Sequence, residues 1–556
     1  MTDPTPIFAL CADHVERAAA ADPLTATYDG VGGHDGESSD LSPAGHAARV
    51  DVVRDTLRRL AGLSPQSPAD LLAADHLRER LTATLAWHDA GEPLRELHPF
   101  AGHLAVRGSV ELLPQETEEQ WAVLTRRLSG VPGMLAGWRE SLDAGLRGAD
   151  RVAVRQVAAA AEQLAVFAGE RVDAPAHASL VDRVTAASPA SPVVAELTAA
   201  ARAAHAAYAE TSSWLTREAA PRAAEADGVG RDRWSVWSSL AMGARIDPQE
   251  AYAWGWEELH RLEDAMAVEA DRVQAGAGVA EAAALLDRTD VVTGAEAYRS
   301  WLQDQHDEAM VAVDGVHVDV DPRLRTVDVR LAPAGSAAAP YYTPPTEDLS
   351  RPGRTWWPTL GREVFPVWDE VTTVFHEGVP GHHLQFAQAK VADLSRYSRN
   401  SFVSGHGEGW ALYAERLADE LGWFTTPGRR LGYLIGSAFR AARVVIDIGV
   451  HLGLPLPPAE AARHGERWTF DVARQVLRER GRLGAHMVDS EVTRYFGWPA
   501  QAPSYKLGER AWLEARDEAR TRLGSQYDQK AWHTAALALG PLGLDTMSAQ
   551  LRGWQG

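Results

Sequence analysis

The sequence of 556 residues contains a single cysteine, Cys11. One thiol can form neither an internal disulfide nor a zinc site built from cysteines. Any metal ion must therefore be held by histidines and carboxylates. A sequence so poor in cysteine is also typical of proteins from a reducing compartment.

The sequence also lacks a long apolar run and a recognisable export signal. Its most hydrophobic part, residues 431–454, is interrupted by Arg440, Arg443 and Asp447, whereas a membrane-spanning helix needs about 20 mostly apolar residues. The first ten residues, MTDPTPIFAL, carry an aspartate and two prolines where a secretory signal has basic residues and then an apolar segment. We therefore predict a cytoplasmic protein with no membrane-spanning segment.

Basic residues are fewer than acidic ones. The sequence has 55 Lys and Arg against 76 Asp and Glu, a formal net charge of −21. A charge of this sign repels phosphate backbones and anionic membrane surfaces, so we expect no nucleic-acid partner. With 45% hydrophobic and 24% charged residues the composition is that of a globular protein. At this length a single core usually stops growing, which predicts two packed lobes or one large helical domain.

Helical patterns dominate the sequence. From about residue 42 to residue 224 it is rich in Ala, Leu, Arg and Glu, with apolar residues at helical spacing. Helical periodicity returns at Val367 and continues to the end. The sequence predicts an N-terminal helical lobe at residues 1–225 and a catalytic-like lobe at residues 226–556, which could also form one continuous domain.

A short part of the second half departs from the helical pattern. Residues 316–320 and 325–331 carry β-branched side chains at alternate positions and predict a small sheet. The proline-rich stretch at 339–353 is predicted to be an irregular loop. The predicted fold class is therefore mainly α with a small β-sheet.

The most informative segment, at residues 374–386, has the sequence VFHEGVPGHHLQF. In one class of zinc hydrolases, two histidines four residues apart on a helix bind one ion, and the glutamate beside the first activates water. Here Pro380 occupies the fourth position after His376. On an ideal helix His382 points about 120° away from His376 and His383 lies roughly 10 Å further along, so neither could share an ion with it.

The residues between the histidines offer a solution. Pro380 breaks a helix, and Gly378 and Gly381 permit backbone conformations that other residues avoid. If two residues loop out, His382 takes the virtual fourth position and His383 the fifth. We therefore predict that the helix is interrupted between Gly378 and Gly381 and that His382 is the second ligand.

His376 and His382 are accordingly predicted to bind the metal, with Glu377 as general base. The alternative is a structural cluster in which the histidines cap backbone carbonyls and Glu377 pairs with an arginine. The two additional histidines in a Gly-Pro-Gly context favour the metal site.

A third ligand is expected from residues 404–415, SGHGEGWALYAE, which open the next helical segment. Glu408 and Glu415 share one face of that helix, and a polar turn before it would bring either of them beside His382. We choose Glu408 because the glycines flanking it allow a metal and a substrate to approach closely. Glu415 then either supports a ligand or is a surface charge, and an exchange of Glu415 for Glu408, or of His383 for His382, stays open.

Two further groups are candidates for roles at the site. Arg443, Asp447 and His451 recur at every fourth position of an apolar helix and predict a structural ladder of charges, although one of them could instead face the substrate. Residues 495–508 predict a loop followed by a helix from about Tyr505. The phenol of Tyr505 could stabilise an oxyanion opposite the metal.

Three motifs carry a resemblance to a known family. They are HEGVPGHHLQ at 376–385, EGWALY at 408–413 and PAQAPSYKLG at 499–508. Together they resemble a bacterial family known as domain of unknown function 885, over most of the chain. That family looks like a distant relative of the helical gluzincin peptidases, which include oligopeptidases and carboxypeptidases with a deep substrate groove.

The resemblance implies a large, two-lobed, zincin-like architecture and one zinc ion. It assigns His376, His382 and Glu408 as zinc ligands, Glu377 as general base and Tyr505 as oxyanion donor. Gluzincins have their two histidines four residues apart, so the six-residue spacing of this sequence is a departure.

We therefore expect a zinc-dependent hydrolase that cleaves amide or peptide bonds in small substrates, similar to an oligopeptidase or a carboxypeptidase. One alternative is a non-catalytic helical binding protein that keeps the cluster as structure. Another is a metalloenzyme that acts on a small molecule other than a peptide. If the substrate is a peptide, its backbone should pair with the edge of the strand at 325–331, since extended peptides commonly add to sheet edges. This edge and Tyr505 should then face the same cavity as Glu377, with the loop at Tyr341 and Tyr342 flanking the metal helices.

Overall fold

The computed structural model describes residues 5–171, 175–332, 339–346 and 349–556. Helices make up 69% of the structure and strands 5%. These proportions confirm the prediction of a mainly helical fold with a small sheet. None of the helices in the described ranges is long and apolar enough to cross a membrane.

The first part of the chain is helical throughout. Several of its helices begin with a serine that accepts a hydrogen bond from the first turn and is followed by proline, as at Ser42 and Ser67. The helices are α1 (Pro6–Ala21), α2 (Pro23–Asp29), α3 (Pro43–Ala61), α4 (Pro68–Asp89), α5 (Gly102–Glu111), α6 (Glu118–Ser129), α7 (Val131–Gly145), α8 (Val154–Ala168), α9 (Ala178–Ala187) and α10 (Pro192–Trp214).

The second part adds four helices before the sheet region and eleven after it. They are α11 (Arg231–Met242), α12 (Pro248–Val273), α13 (Val279–Thr289), α14 (Ala295–Val313), α15 (Glu370–Glu377), α16 (His382–Val391), α17 (Arg396–Asn400), α18 (Ser404–Glu420), α19 (Pro427–Leu452), α20 (Pro458–His464), α21 (Phe470–Gly481), α22 (Ala485–Gly497), α23 (Ser504–Leu523), α24 (Gln529–Ala538) and α25 (Leu544–Gly553). Short 3₁₀ turns lie at Glu92–Leu94, Ala220–Arg222, Pro322–Leu324 and Gly524–Gln526, and a π-helical turn at Leu215–Ala219.

The buried apolar side chains form separate clusters along the chain. The largest lies between Trp234 and Leu551, and the next largest between Leu24 and Ala219. The two parts are joined by buried polar contacts, since the carboxylate of Glu92 accepts hydrogen bonds from Arg233 at 2.7 Å and from the indole of Trp237 at 2.8 Å. The lobe boundary at residue 225 stays a prediction.

Five short strands form two sheets. They are β1 (Val291–Thr293), β2 (Val327–Leu331), β3 (Tyr341–Thr343), β4 (Gly353–Trp357) and β5 (Val364–Pro366). β1 and β5 pair antiparallel. In the other sheet the strand order is β2-β4-β3, with β2 parallel and β3 antiparallel to β4.

Two predictions for this region are wrong. Residues 316–320 form a turn held by a single bridge between Asp314 and Val318 instead of a strand. The stretch at 339–353 was predicted to be irregular, yet Tyr341–Thr343 form β3 and Gly353 begins β4. Prolines flank β3 without interrupting its three residues, so a high proline content did not exclude a short strand in this stretch.

The two outer strands of the larger sheet differ in accessibility. The side chain of Gln303, on α14, donates to the carbonyl of Val327 and accepts from the amide of Val329, which occupies the outer edge of β2. Among the described residues, β3 pairs with β4 alone. β3 therefore presents the open edge of this sheet.

Candidate metal centre

The helix that carries His376 is interrupted where the sequence predicts it. α15 ends at Glu377 and α16 begins at His382. Between them, the amide of Gly381 donates to the carbonyl of Phe375 at 3.0 Å, a bond that spans six residues instead of the four of an α-helix. Two residues therefore loop out, which confirms the predicted bulge.

The bulge is fixed by its surroundings. A side chain on Gly381 would collide with the backbone carbonyls of Phe375 and His376, so only glycine fits at this position. The indole of Trp410, on α18, donates to the carbonyl of Pro380 at 2.9 Å. This bond ties the loop to the helix that carries the predicted third ligand.

The three predicted ligands converge. Nε2 of His376 and Nε2 of His382 each lie 3.5 Å from Oε2 of Glu408. One ligand atom from each of the three residues falls within 4.8 Å of the others. The two imidazole rings are nearly perpendicular, with centroids 4.9 Å apart. The side chains of His376, His382 and Glu408 therefore come together at one place in the structure.

This geometry fits a tetrahedral metal ion. Ligand bonds of 2.0–2.2 Å to zinc place neighbouring ligand atoms roughly 3.3 Å apart, close to the two distances of 3.5 Å. Two imidazoles and a carboxylate are also a donor set that zinc accepts, with a fourth position left for water or substrate. The residues therefore fit a catalytic type of zinc site.

The two residues that the sequence left as alternative ligands have other partners. Both ring nitrogens of His383 are occupied, Nε2 by the carbonyl of Leu324 at 2.6 Å and Nδ1 by the hydroxyl of Tyr342 at 3.0 Å. Glu415 is buried and lies behind His376, with its Oε1 2.8 Å from Nδ1 of that ring. Glu415 therefore supports a candidate ligand and is neither part of the candidate cluster nor a surface charge.

The contact between Glu415 and His376 fixes the orientation of the ring. A carboxylate that accepts from Nδ1–H leaves the lone pair of Nε2 free to face the metal position. Thr372 Oγ1 donates to the second oxygen of Glu415 at 2.5 Å and holds the carboxylate in place. The other ring nitrogen of His382, Nδ1, is buried and has no hydrogen-bond partner among the described residues.

The charges of the site favour a cation between its carboxylates. Burial lowers the pKa of His376, but its contacts with Glu408 and Glu415 outweigh burial and raise that pKa to about 9. Burial raises the pKa of Glu408, but the two imidazoles outweigh it and hold that pKa well below its usual range. Burial also raises the pKa of Glu377. The electrostatic environment thus stabilises positive charge at the position where the ligand atoms meet.

The three candidate ligands lie in the wall of a cavity of about 360 Å³. Glu377 and Tyr505 line the same cavity, together with Phe386 and Phe402. Burial raises the pKa of Tyr505 to about 12, so its hydroxyl stays protonated and able to donate at neutral pH. The geometric requirement that Glu377 and Tyr505 share one cavity is met.

The strand at this cavity is a different one from the strand that the sequence predicted. Pro340, Tyr341 and Tyr342, in and just before β3, line the cavity, whereas no residue of β2 does. β2 lies on the far side of β4, and Gln303 occupies its outer edge. The predicted role of an edge at 325–331 is therefore wrong, and the open edge beside the metal position belongs to β3.

Only part of the predicted ladder on α19 forms, since Nε2 of His451 lies 3.8 Å from Oδ2 of Asp447 while Arg443 has other partners. Arg443 bonds to Glu491 at 2.8 Å and to the hydroxyl of Tyr495 at 2.9 Å, both on α22. Asp447 accepts from the indole of Trp234 at 2.7 Å. Burial raises the pKa of Asp447 to about 8.

The sequence did not identify Arg440 as a cavity residue, and the structure places it there together with Arg443. The two arginines are three residues apart, a spacing that puts them on one helix face. That spacing is the signal from which their common orientation could have been inferred.

The glycines around Glu408 serve helix packing. A side chain on Gly409 would meet the backbone of Gly508, on α23, and a side chain on Gly508 would meet the carbonyl of Gly405. Gly407 lies against the ring of Phe402. The flanking glycines were predicted to make room for metal and substrate; Gly409 instead allows α18 and α23 to touch, and Gly407 leaves room for Phe402, which lines the cavity.

A second, larger cavity of about 470 Å³ lies among α1 to α4 and is mostly apolar. Phe402 lines both cavities. Within the described part of the chain, His376, His382 and Glu408 form the cluster that could hold a metal ion. All three line the smaller cavity. The smaller cavity is therefore the candidate active site.

Solved structures share the fold, among them two that match nearly the whole chain. One is from Colwellia psychrerythraea and is described as a "putative lipoprotein"; it has a TM-score of 0.80 and 21% identity, with 98% of each chain covered. The other, from Shewanella oneidensis, is described as a "putative lipoprotein of unknown function", with a TM-score of 0.75, 17% identity, and coverage of 99% of this chain and 100% of the other. At these identities the likeness shows the fold alone.

Among curated proteins no sequence matches this one significantly. A family model described as "Bacterial protein of unknown function (DUF885)" matches residues 23–551. This match spans nearly the whole chain and includes all three motifs that the sequence singled out. The chain therefore belongs to the DUF885 family of bacterial proteins.

Proposed function

We propose that the protein is a zinc-dependent hydrolase that cleaves amide or peptide bonds in small substrates. One observation carries the proposal. Nε2 of His376 and Nε2 of His382 meet Oε2 of Glu408 at 3.5 Å, in a cavity wall that Glu377 also lines. A purely structural cluster would have no need of a second carboxylate facing the same cavity.

The chain's own residues have complementary roles in this reaction. A zinc ion held by the three ligands would act as a Lewis acid on a carbonyl oxygen and would acidify water. Glu377 accepts the proton of the attacking water and passes it to the leaving amine. Tyr505 donates a hydrogen bond to the oxyanion that develops as water adds to the carbonyl. Glu415 keeps the ring of His376 in the tautomer and orientation that the site needs.

The size of the cavity favours short substrates. Its volume of about 360 Å³ is near the lower end of the range for ligand pockets. The open edge of β3 at the cavity offers backbone hydrogen bonds to an extended chain, which would bind a peptide without demanding particular side chains. A short peptide therefore fits this site better than a folded protein does.

The finer architecture and the location belong to the same proposal. Separate apolar clusters on either side of residue 225 support two lobes, and the His-Glu pair with a downstream glutamate supports a distant relation to gluzincins. A cytoplasmic location is favoured by the single, buried Cys11. The lipoprotein descriptions of the two structural neighbours give the alternative, a membrane-anchored protein, and cell fractionation decides between them.

The test begins with the metal. Protein purified without an affinity tag, freed of metal with a chelator and then given zinc, should bind about one ion per chain by elemental analysis, and anomalous scattering should place it at His376, His382 and Glu408. Zinc-loaded protein should cleave short peptides in a mixture followed by mass spectrometry, and chelation should abolish the cleavage.

Glu377→Gln is the matched control. This variant should keep the zinc and lose at least about a hundredfold in kcat, since general-base catalysis contributes 10²–10⁴-fold. Absence of zinc binding would overturn the metal site. Zinc binding with no cleavage of any amide would overturn the hydrolase and leave a binding protein.

A further inference from the structure

Two arginines of α19 face the candidate active site. Arg440 and Arg443 line the same cavity as Glu377 and the three candidate ligands. They follow one another at a spacing of three residues, so both project from one face of the helix.

Arg443 has one donor without a partner. Its Nη2 donates to Glu491 at 2.8 Å and its Nε to the hydroxyl of Tyr495 at 2.9 Å. The side chain of Arg443 is only 8% exposed. Its Nη1 is buried and has no hydrogen-bond partner among the described residues. The ring of Tyr505 lies over the guanidinium, 4.7 Å from its carbon to the ring centroid. The guanidinium of Arg443 is therefore held in place, and the N–H groups of its Nη1 make no hydrogen bond within the described residues.

Arg440 is less tightly held. Its Nη1 donates to the carbonyl of Gly436 at 3.2 Å, within the same helix. Its Nη2 is 4.0 Å from Oε1 of Glu415, beyond hydrogen-bond distance. Its Nε is buried and likewise has no partner in the described part of the chain. Each arginine therefore has a donor without a partner among the described residues, and both side chains line the cavity.

We infer that Arg440 and Arg443 bind a carboxylate of the substrate. The inference rests on the proposed function and deepens it, because it restricts the substrates to short peptides with a carboxylate near the cleaved bond. Buried donors without partners destabilise a protein, and a guanidinium matches a carboxylate in both charge and geometry. In a peptide that carboxylate is either the C-terminus or an Asp or Glu side chain.

One peptide in three forms tests the inference. An acetylated tripeptide with neutral side chains is prepared as the free acid, as the C-terminal amide, and as an amide with glutamate at the last position. Binding is measured by calorimetry to the zinc-loaded Glu377→Gln protein, which does not consume the ligand. The free acid should bind at least about tenfold more tightly than the neutral amide, as expected for charge-assisted hydrogen bonds.

The third peptide identifies the source of the carboxylate. If the glutamate-bearing amide binds as tightly as the free acid, the side-chain carboxylate is recognised. If it binds as weakly as the neutral amide, the C-terminus is recognised. Equal affinity of the acid and both amides, or binding of none of them, overturns the inference.

Variants in the same background connect the preference to the two residues. Arg440→Gln and Arg443→Gln should each reduce the preference for the carboxylate about tenfold, while Arg429→Gln, on the same helix and outside the cavity, should keep it. Glu491 retains a bond from Arg494 at 2.8 Å when Arg443 is replaced, and Arg440 makes fewer contacts, so at least one variant should fold. Unchanged preference in both folded variants overturns the assignment.

The outcome is separable from that of the proposed function. If wild-type protein hydrolyses none of the peptides and the acid still binds more tightly, the hydrolase fails and the carboxylate site stands. If it hydrolyses acid and amide with equal kcat/KM and binds them equally, the hydrolase stands and the carboxylate site fails.

Discussion

Glu415 is the residue behind the candidate metal centre, and its replacement by glutamine changes little but the chemistry of one contact. In the structure its carboxylate accepts from Nδ1 of His376 and from Oγ1 of Thr372. Glutamine has the same shape but only one acceptor oxygen. If its amide nitrogen faces His376, the ring must accept at Nδ1 and carry its proton on Nε2, which blocks the ligand atom. If the oxygen faces the ring instead, the bond survives without its charge.

Either arrangement weakens zinc binding. Loss of a partner that orients a metal ligand typically costs 10–100-fold in affinity, which is about 1.4–2.7 kcal/mol. Glu415 is 1% exposed, so water cannot easily replace the missing acceptor. We therefore expect Glu415→Gln to fall in the upper part of that range.

The affinity is measured by competition with a chromophoric zinc chelator at fixed pH. Glu420→Gln is the matched control, because Glu420 lies on the same helix, pairs with Arg516 and does not line the cavity. The control should keep the affinity of the wild type, and both variants should unfold cooperatively. An unchanged affinity in folded Glu415→Gln would refute the role of this contact and weaken the assignment of His376.

Four further outcomes follow from the structure. Glu408→Ala should abolish stoichiometric zinc binding, measured by elemental analysis. Tyr505→Phe should lower kcat while KM changes little, because the hydroxyl acts on the oxyanion, which forms after binding; a change in KM alone would contradict this. Gly409→Ala should lower the free energy of unfolding by about 1–3 kcal/mol in urea titrations, because the added methyl group meets the backbone of α23. Asp447 has a folded pKa of about 8, above its unfolded value of about 3.9, so the folded protein holds a proton that the unfolded chain releases between these values; stability should therefore fall from pH 6 to pH 8, and Asp447→Asn should show a smaller fall.

The bulge that brings the two histidines together could be inferred from the sequence because its geometry is local. A six-residue spacing cannot serve one ion on a regular helix, and Pro380 between two glycines leaves few other ways to bring His382 next to His376. The bond from Gly381 to Phe375 is the result. Strand β2 was identified for a similar reason, since its alternation is contained in a few residues.

Other features depend on contacts that sequence spacing does not reveal. The ladder from Arg443 to Asp447 and His451 has the right local spacing, but Arg443 finds its carboxylate in Glu491, on another helix. Helical periodicity predicts that Glu415 lies on the same helix face as Glu408, but it does not reveal whether that face is buried.

The edge strand at the cavity was misassigned for a related reason. β3 has three residues, too few for an alternation pattern, and its position next to the metal helices depends on pairing with β4. The glycines of α18 were likewise recognised as permitting a close approach, but the approaching partner, Gly508, is about a hundred residues away along the chain.

The contact between α18 and α23 at Gly409 and Gly508 lies beside the candidate active site. Glu408 precedes one of these glycines, and Tyr505 lies less than one helical turn from the other. When two rods rock about a point of contact, their far ends move most and the parts near the contact move least. Bending of either helix would therefore displace its distant turns, while the backbones at Glu408 and Tyr505 keep nearly the same separation. The contact that sets this backbone separation is itself between backbones, so it does not depend on side-chain rotamers.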